Sequence, residues 1–184
     1  MSVINHETKI IYCHLPRTAG TSMEGDSKFG TVITGHFGIR DYIEQGAEID
    51  FYFKFAFVRN PYDRLASAIF AYLLQNEKNP REKFNETVIK YKDKWPTQIA
   101  TKPQYEYTHD ISGNLRIDFI GRYENLEEDW KKLCVKLGIE AELTHLKKWP
   151  QYDYNNLYSE EARNIVRDFA KKDFEMFGYD RYEK

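Results

Sequence analysis

Arg17, Thr18, Ala19, Gly20, Thr21 and Ser22 follow one another just beyond the apolar run Ile10–Leu15. A plain turn needs only two or three small or polar residues, so six in a row suit a loop shaped around a ligand. Such a loop turns successive backbone N–H groups inward, and the start of a helix adds partial positive charge. Thr18, Thr21 and Ser22 bring hydroxyl donors, and Arg17 brings a fixed charge with a fork of donors. The chemistry is that of anion binding. Each charge-assisted hydrogen bond contributes about 1.5–3 kcal/mol, so four or five could hold a phosphate firmly. The nucleotide-triphosphatase pattern G-x-x-x-x-G-K-[ST] is not met, because no lysine follows Gly20. A purely structural turn is the other reading.

A second stretch, Phe57–Ser67 (FVRNPYDRLAS), has the same layout. Arg59 ends an apolar run, Asn60-Pro61 turns the chain, and Ser67 falls about two turns into the helix that Pro61 can open. Arg59 and Ser67 could hold one anion between them. Alternatively, Arg59 pairs with Asp63 and Ser67 is a small packing residue.

The elements that would carry these loops can be read from periodicity. Lys9–Leu15 and Phe51–Arg59 read as strands, the second apolar enough to be buried on both faces, with shorter candidates at Thr31–Thr34 and Arg116–Tyr123. After Pro61, the residues Leu65, Ile69, Tyr72 and Leu73 fall on one helical face. Asn125 with Glu128 forms a capping-box start, and Leu126, Trp130, Leu133, Cys134 and Leu137 keep the helical period until Gly138. Ser159 caps a last helix running through Ile165, Val166 and Phe169 to Phe177. Strands alternating with helices predict an α/β fold around a parallel sheet, with ligands at the carboxyl ends of its strands. The segment Lys92–Leu115 contains Trp95-Pro96, Lys102-Pro103 and Ser112-Gly113-Asn114, and reads as a long binding loop.

Composition bounds the function. At 184 residues the chain fits one domain, spanning 1–184. A net charge of −2 gives no overall field for nucleic acid, so any anion site must be local. The 14 Tyr and 12 Phe could build a dense core or aromatic walls for a planar ligand. Cys13 and Cys134 cannot make a zinc site alone and suit buried free thiols in a reducing, cytoplasmic setting. The N-terminal residues do not read as a signal peptide, and no apolar stretch is long enough for a membrane span.

Taken together, PRTAGTS after a first strand and VRNPYDRLAS after a later one resemble the paired nucleotide-binding motifs of the sulfotransferases. The similarity is to the carbohydrate-type branch, which often reads P-K-T-A-G-T-S and V-R-[ND]-P-x-x-R-x-x-S. RIDFIGRYENLEEDW and YSEEARNIVRDFAKKDFEMFGYD also resemble that branch, so the likeness runs from Lys9 to Asp180 and is poorest over Tyr72–Lys102. It implies a P-loop-like three-layer α/β fold with a central, mainly parallel sheet. It also implies 3′-phosphoadenosine 5′-phosphosulfate as sulfuryl donor, an acceptor hydroxyl on a carbohydrate or small molecule, and no metal. By this resemblance Arg17, Thr18, Ala19, Gly20, Thr21 and Ser22 grip the 5′-phosphosulfate, while Arg59 and Ser67 hold the 3′-phosphate.

Arg17 stands where the family usually has lysine. It supplies charge to the leaving phosphate but cannot readily donate a proton, which a phosphate leaving group does not need. Family members usually continue from the loop into a long helix, whereas Gly25, Asp26 and Gly30 interrupt this one. His36 resembles a histidine of the family's uronyl-type members and is the candidate catalytic base, with His14 and Glu24 as rivals. Gln104, Tyr105, Tyr107 and Arg122 are candidates for reading the acceptor. A nucleotide kinase or hydrolase using the same loop, and a relative that binds the donor without turnover, are the competing functions. The sequence carries no sign of oligomeric state.

Overall fold

The computed structural model describes residues 2–23, 31–32, 35–46, 48–140, 143 and 156–182. The chain divides into two compact units, each assembled from separated segments. The first comprises Met1–Arg59 and Gln104–Trp149, the second Asn60–Pro103 and Pro150–Lys184.

The first unit is built on a five-stranded sheet of order β3-β1-β2-β4-β5. The strands are β1 (Val3–Asn5), β2 (Ile10–Cys13), β3 (Thr31–Val32), β4 (Phe53–Val58) and β5 (Phe119–Arg122). β2, β4 and β5 are parallel neighbours, whereas β1 pairs antiparallel with both β2 and β3. The fold is therefore mixed α/β around a mostly parallel sheet. β1 has no counterpart among the elements expected from the sequence. The strands at 10–13, 53–58 and 119–122 fall inside the expected ranges, and β3 covers Thr31–Val32, with residues 33–34 outside the described set.

Strand alternation sorts the buried side chains into two faces. Tyr12, Phe55 and Phe57 pack with Trp130, Leu133 and Cys134 of α6 (Leu126–Leu137), and the Tyr12 and Phe55 rings stack at 4.8 Å. Each such aromatic or aliphatic side chain contributes about 1.5–3 kcal/mol when fully buried. Ile11, Cys13, Ala56 and Val58 face the other way and are fully buried. Both cysteines are buried free thiols. Also in this unit are α1 (Gly20–Met23), α2 (Ile39–Glu44) and α5 (Tyr105–Thr108). Gly38, at the start of α2, has no room for a side chain, because a Cβ there would lie 2.5 Å from the Tyr107 backbone of α5.

The expected Asn125 capping box is replaced by another device. Asn125 makes no side-chain cap hydrogen bond; it closes a 3-10 turn, Tyr123–Asn125, that enters α6. The Asp129 carboxylate, in the first turn, accepts the Arg122 N–H at 2.9 Å and so ties the helix start to the end of β5. Gly138 ends α6 in the left-handed conformation, at φ 65°, as the sequence predicts.

The second unit is helical, with α3 (Pro61–Tyr72), α4 (Pro80–Lys90), α7 (Glu160–Phe169) and α8 (Lys171–Phe177). Leu65 and Ile69 of α3 meet Phe84, Val88, Ala162, Val166 and Phe174 in one core. Asn60 caps α3 by accepting the Tyr62 N–H at 3.0 Å, and Ser159 caps α7 by accepting that of Ala162. Two expectations are corrected here. Tyr72 and Leu73 are exposed rather than on the buried face of α3. The last helix is two, broken at Ala170. Within the expected long loop, residues 91–102 are a succession of turns anchored by buried Trp95, whose indole N–H donates to the Val88 carbonyl at 2.9 Å.

Candidate active site

The parallel strands β2, β4 and β5 run side by side in the same direction, so the residues that follow each of them emerge at one edge of the sheet. His14–Gly20 follows β2, Arg59 follows β4, and Tyr123 follows β5. This is the edge at which open α/β sheets bind ligands.

The loop after β2 has an unusual backbone. Arg17 (φ 68°) and Ala19 (φ 71°) are both left-handed, with Thr18 between them outside that region. Each such non-glycine residue costs about 1–3 kcal/mol, and strain of this kind collects where a backbone is shaped for a ligand. Alternation of this sort aims neighbouring N–H groups into a common concavity, which suits an anion. Thr18 is buried, and its hydroxyl donates to the Leu15 carbonyl at 2.7 Å, closing the loop from within. Its hydroxyl proton is thus engaged inside the loop, leaving its backbone N–H as the group available for a ligand. Arg17 is half-buried, and Gly20 begins α1. The side chains of Thr21 and Ser22, and all of Glu24, Gly25, Asp26 and Gly30, lie outside the described residues.

His14 and His36 come together at the base of this loop. Their rings are 4.6 Å apart in an edge-to-face arrangement. Burial, reinforced by the neighbouring charges, pushes the His14 imidazole down to about 2, which leaves it neutral. His36 Nδ1 lies 3.2 Å from the His14 carbonyl oxygen. A carbonyl can only accept, so this contact puts the proton on Nδ1 and leaves the lone pair of His36 on Nε2. The Ser2 hydroxyl, fully buried, fixes the segment carrying His36. It accepts the N–H groups of His14 (3.2 Å) and Phe37 (2.9 Å) and donates to the Phe37 carbonyl (2.9 Å). Sequence reasoning missed Ser2, whose only signal was its place at the start of an unrecognised strand.

Arg59, 7% exposed, reaches back to the loop: its Nη1 donates to the Arg17 carbonyl at 3.3 Å. Its guanidinium lies 4.0 Å from the centre of the Tyr123 ring. Gln104 is completely buried, with its Oε1 accepting the Arg59 N–H at 2.8 Å and its Nε2 donating to the Arg59 carbonyl at 2.7 Å. The side chain expected to read an acceptor thus braces Arg59. Tyr107 is likewise buried. Tyr105 is half-buried, with the Arg40 guanidinium 5.5 Å from its ring centre, and Arg122 is half-buried at the end of β5. Ser67 is buried in α3 and belongs to the second unit, whereas Arg17, His36 and Arg59 belong to the first.

Among the described residues, no group of three or more His, Cys, Asp or Glu is arranged to hold a metal ion. No described helix is long and apolar enough to cross a membrane.

Comparison with known proteins gives this site a context. The profile of the sulfotransferase family matches residues 39–180, a span that includes Arg59 and Ser67 and begins beyond the first loop. An uncharacterized protein of Archaeoglobus fulgidus is 38% identical over 96 residues, covering 51% of this chain and 74% of that protein. Carbohydrate sulfotransferase 14 of Danio rerio is 23% identical over 239 aligned positions, which take in 96% of this chain but only 61% of the fish protein. No solved structure matches. With most of its length inside the family profile, and a distant relationship to the carbohydrate branch running through nearly all of it, the chain belongs to the sulfotransferase family.

Proposed function

We propose that the protein moves a sulfuryl group from 3′-phosphoadenosine 5′-phosphosulfate to an acceptor hydroxyl, on a carbohydrate or small molecule, within a P-loop-like three-layer fold. The observation that carries this reading is the doubly left-handed loop after β2, braced through its Arg17 carbonyl by Arg59. The loop amides and Arg17 suit the 5′ end of the donor, and Arg59 suits the 3′-phosphate, with Ser67 assigned to it by the sequence motif. The relationship to a carbohydrate sulfotransferase favours a sugar acceptor, with Tyr105 and Arg122 as its candidate contacts.

In this reaction the acceptor oxygen forms a bond to sulfur while the bond from sulfur to the bridging phosphate oxygen breaks. The bonding pair leaves with 3′-phosphoadenosine 5′-phosphate. The loop amides and Arg17 stabilise the charge that develops on that phosphate. His36, its tautomer set by the Nδ1 contact with the His14 carbonyl, takes the acceptor proton on Nε2. Most of the acceleration comes from positioning and charge stabilisation, as in phosphoryl transfer.

The test is transfer of label from radiolabelled donor to a panel of sugars, alcohols and phenols, alongside thermal melts with nucleotides. Label should move to at least one hydroxyl acceptor. 3′-Phosphoadenosine 5′-phosphate at a hundredfold excess over its Kd should add about 2.7 kcal/mol of stability. Magnesium-dependent phosphate release from ATP, with ATP stabilising as strongly, would instead identify a kinase or hydrolase. Arg17 in the lysine position favours a second reading, a donor-binding protein without turnover. Stabilisation by the desulfated donor with no transfer to any acceptor would identify that.

A further inference from the structure

The contacts of Arg59 assign a role to a residue to which neither the motif reading nor the proposed chemistry gives one. We infer that Tyr123 is a positioning residue for Arg59, and that its ring sets the directions in which Arg59 grips the donor. The inference rests on the reading that Arg59 holds the 3′-phosphate.

Contacts with Gln104, Tyr123 and Arg17 hold the arginine. Gln104 fixes its backbone from both sides, at 2.8 and 2.7 Å. The Tyr123 ring lies against its guanidinium, 4.0 Å from centroid to Cζ. Nη1 donates to the Arg17 carbonyl. A guanidinium donates hydrogen bonds only in its own plane, so a ring covering one face leaves the edges to do the binding. The Gln104 clamp removes backbone play, and the ring removes swing of the long side chain. The planar fork is thus held in one orientation, with Nη1 in the first loop, so Tyr123 acts on both proposed anion grips through one residue. Tyr123 lies at the turn after β5 and is 36% exposed, so it is a lid on the arginine rather than part of the core.

The test measures affinity by calorimetry for 3′-phosphoadenosine 5′-phosphate and for adenosine 5′-monophosphate. Their ratio isolates the 3′-phosphate. In Arg59→Ala the ratio should collapse. In Tyr123→Leu, which keeps apolar bulk but lacks a π face, it should fall about tenfold, the worth of a partly desolvated cation–π contact. Tyr123→Phe should restore the wild-type ratio. Arg59→Ala/Tyr123→Leu should lose no more than Arg59→Ala alone. A change in fold stability would lower both affinities together and leave their ratio in place. If Arg59→Ala collapses the ratio and Tyr123→Leu leaves it at the wild-type value, the positioning role is overturned and the 3′-phosphate reading stands. If Arg59→Ala itself keeps the ratio, the 3′-phosphate reading fails, and this inference with it.

Discussion

A side chain on Gly20 would collide with the imidazole of His14: a Cβ built there lies 1.8 Å from Nε2 and 2.2 Å from Cε1. The first residue of α1 therefore rests directly on the ring that follows β2, and the loop runs between them. His14 is buried. Gly20→Ala should lower unfolding free energy by about 1–3 kcal/mol, the usual cost of overpacking, and should also weaken binding of the desulfated donor. Urea denaturation and calorimetry check the two effects separately. A variant of wild-type stability and affinity would mean that the ring yields freely.

The same burial makes His14 a source of acid sensitivity. Its folded value, pushed down to about 2, lies below its ordinary 6.5, so the unfolded chain binds the proton that the folded chain refuses. The stability this group protects is complete above about pH 6.5 and is lost as pH falls toward 2. At the limit the loss is about 1.4 kcal/mol per pH unit. His14→Gln, which cannot titrate, should flatten part of the acid limb in unfolding experiments run across that range. An unchanged limb would show that other groups carry it.

Most of the framework around these residues is visible in the sequence because it is local. The runs Lys9–Leu15 and Phe51–Arg59 and the alternating stretch Arg116–Tyr123 announce strands, and Pro61 and Gly138 mark a helix start and a helix stop. β1 escapes notice because three residues, Val3–Asn5, are too few to show alternation. α4 escapes because only Phe84, Thr87 and Val88 of its length are buried. Asn125 looks like a cap by spacing, yet Asp129 does the tying, because the chain enters α6 through a 3-10 turn that spacing does not reveal. The site divides in the same way. The loop after β2 and Arg59 can be read as chemistry, whereas the bracing of Arg59 by Gln104, 45 residues away, is a tertiary fact without a local signal. Gln104 was legible as a polar residue in an irregular segment, and that description fits an acceptor reader as well as a brace.

Arg17 offers a direct test of whether charge or proton donation matters at its position. Arg17→Lys keeps the charge and restores the residue usual in the family, so it should retain donor affinity and transfer label at least as fast as wild type. Arg17→Ala removes the charge proposed to face the leaving phosphate and should cost about a hundredfold in kcat, comparable with loss of one oxyanion donor. Steady-state transfer assays decide. Equal rates for wild type and Arg17→Ala would remove Arg17 from the chemistry and leave it a loop residue.

His36 is tied to the first loop by the His14 carbonyl, and its segment is held by the Ser2 hydroxyl, so the proposed base and the proposed anion grip share one support. That arrangement separates two kinds of loss. His36→Ala should leave affinity for the desulfated donor unchanged while lowering kcat by about a hundredfold to ten-thousandfold, the usual contribution of a general base. Ser2→Ala keeps the imidazole but frees the segment that carries it, and so should lower kcat less, with donor affinity again intact. Turnover retained in His36→Ala would move the base elsewhere. It could not move to His14, whose buried ring, pushed down to about 2, holds a proton too weakly to act as base near neutral pH and is packed against Gly20.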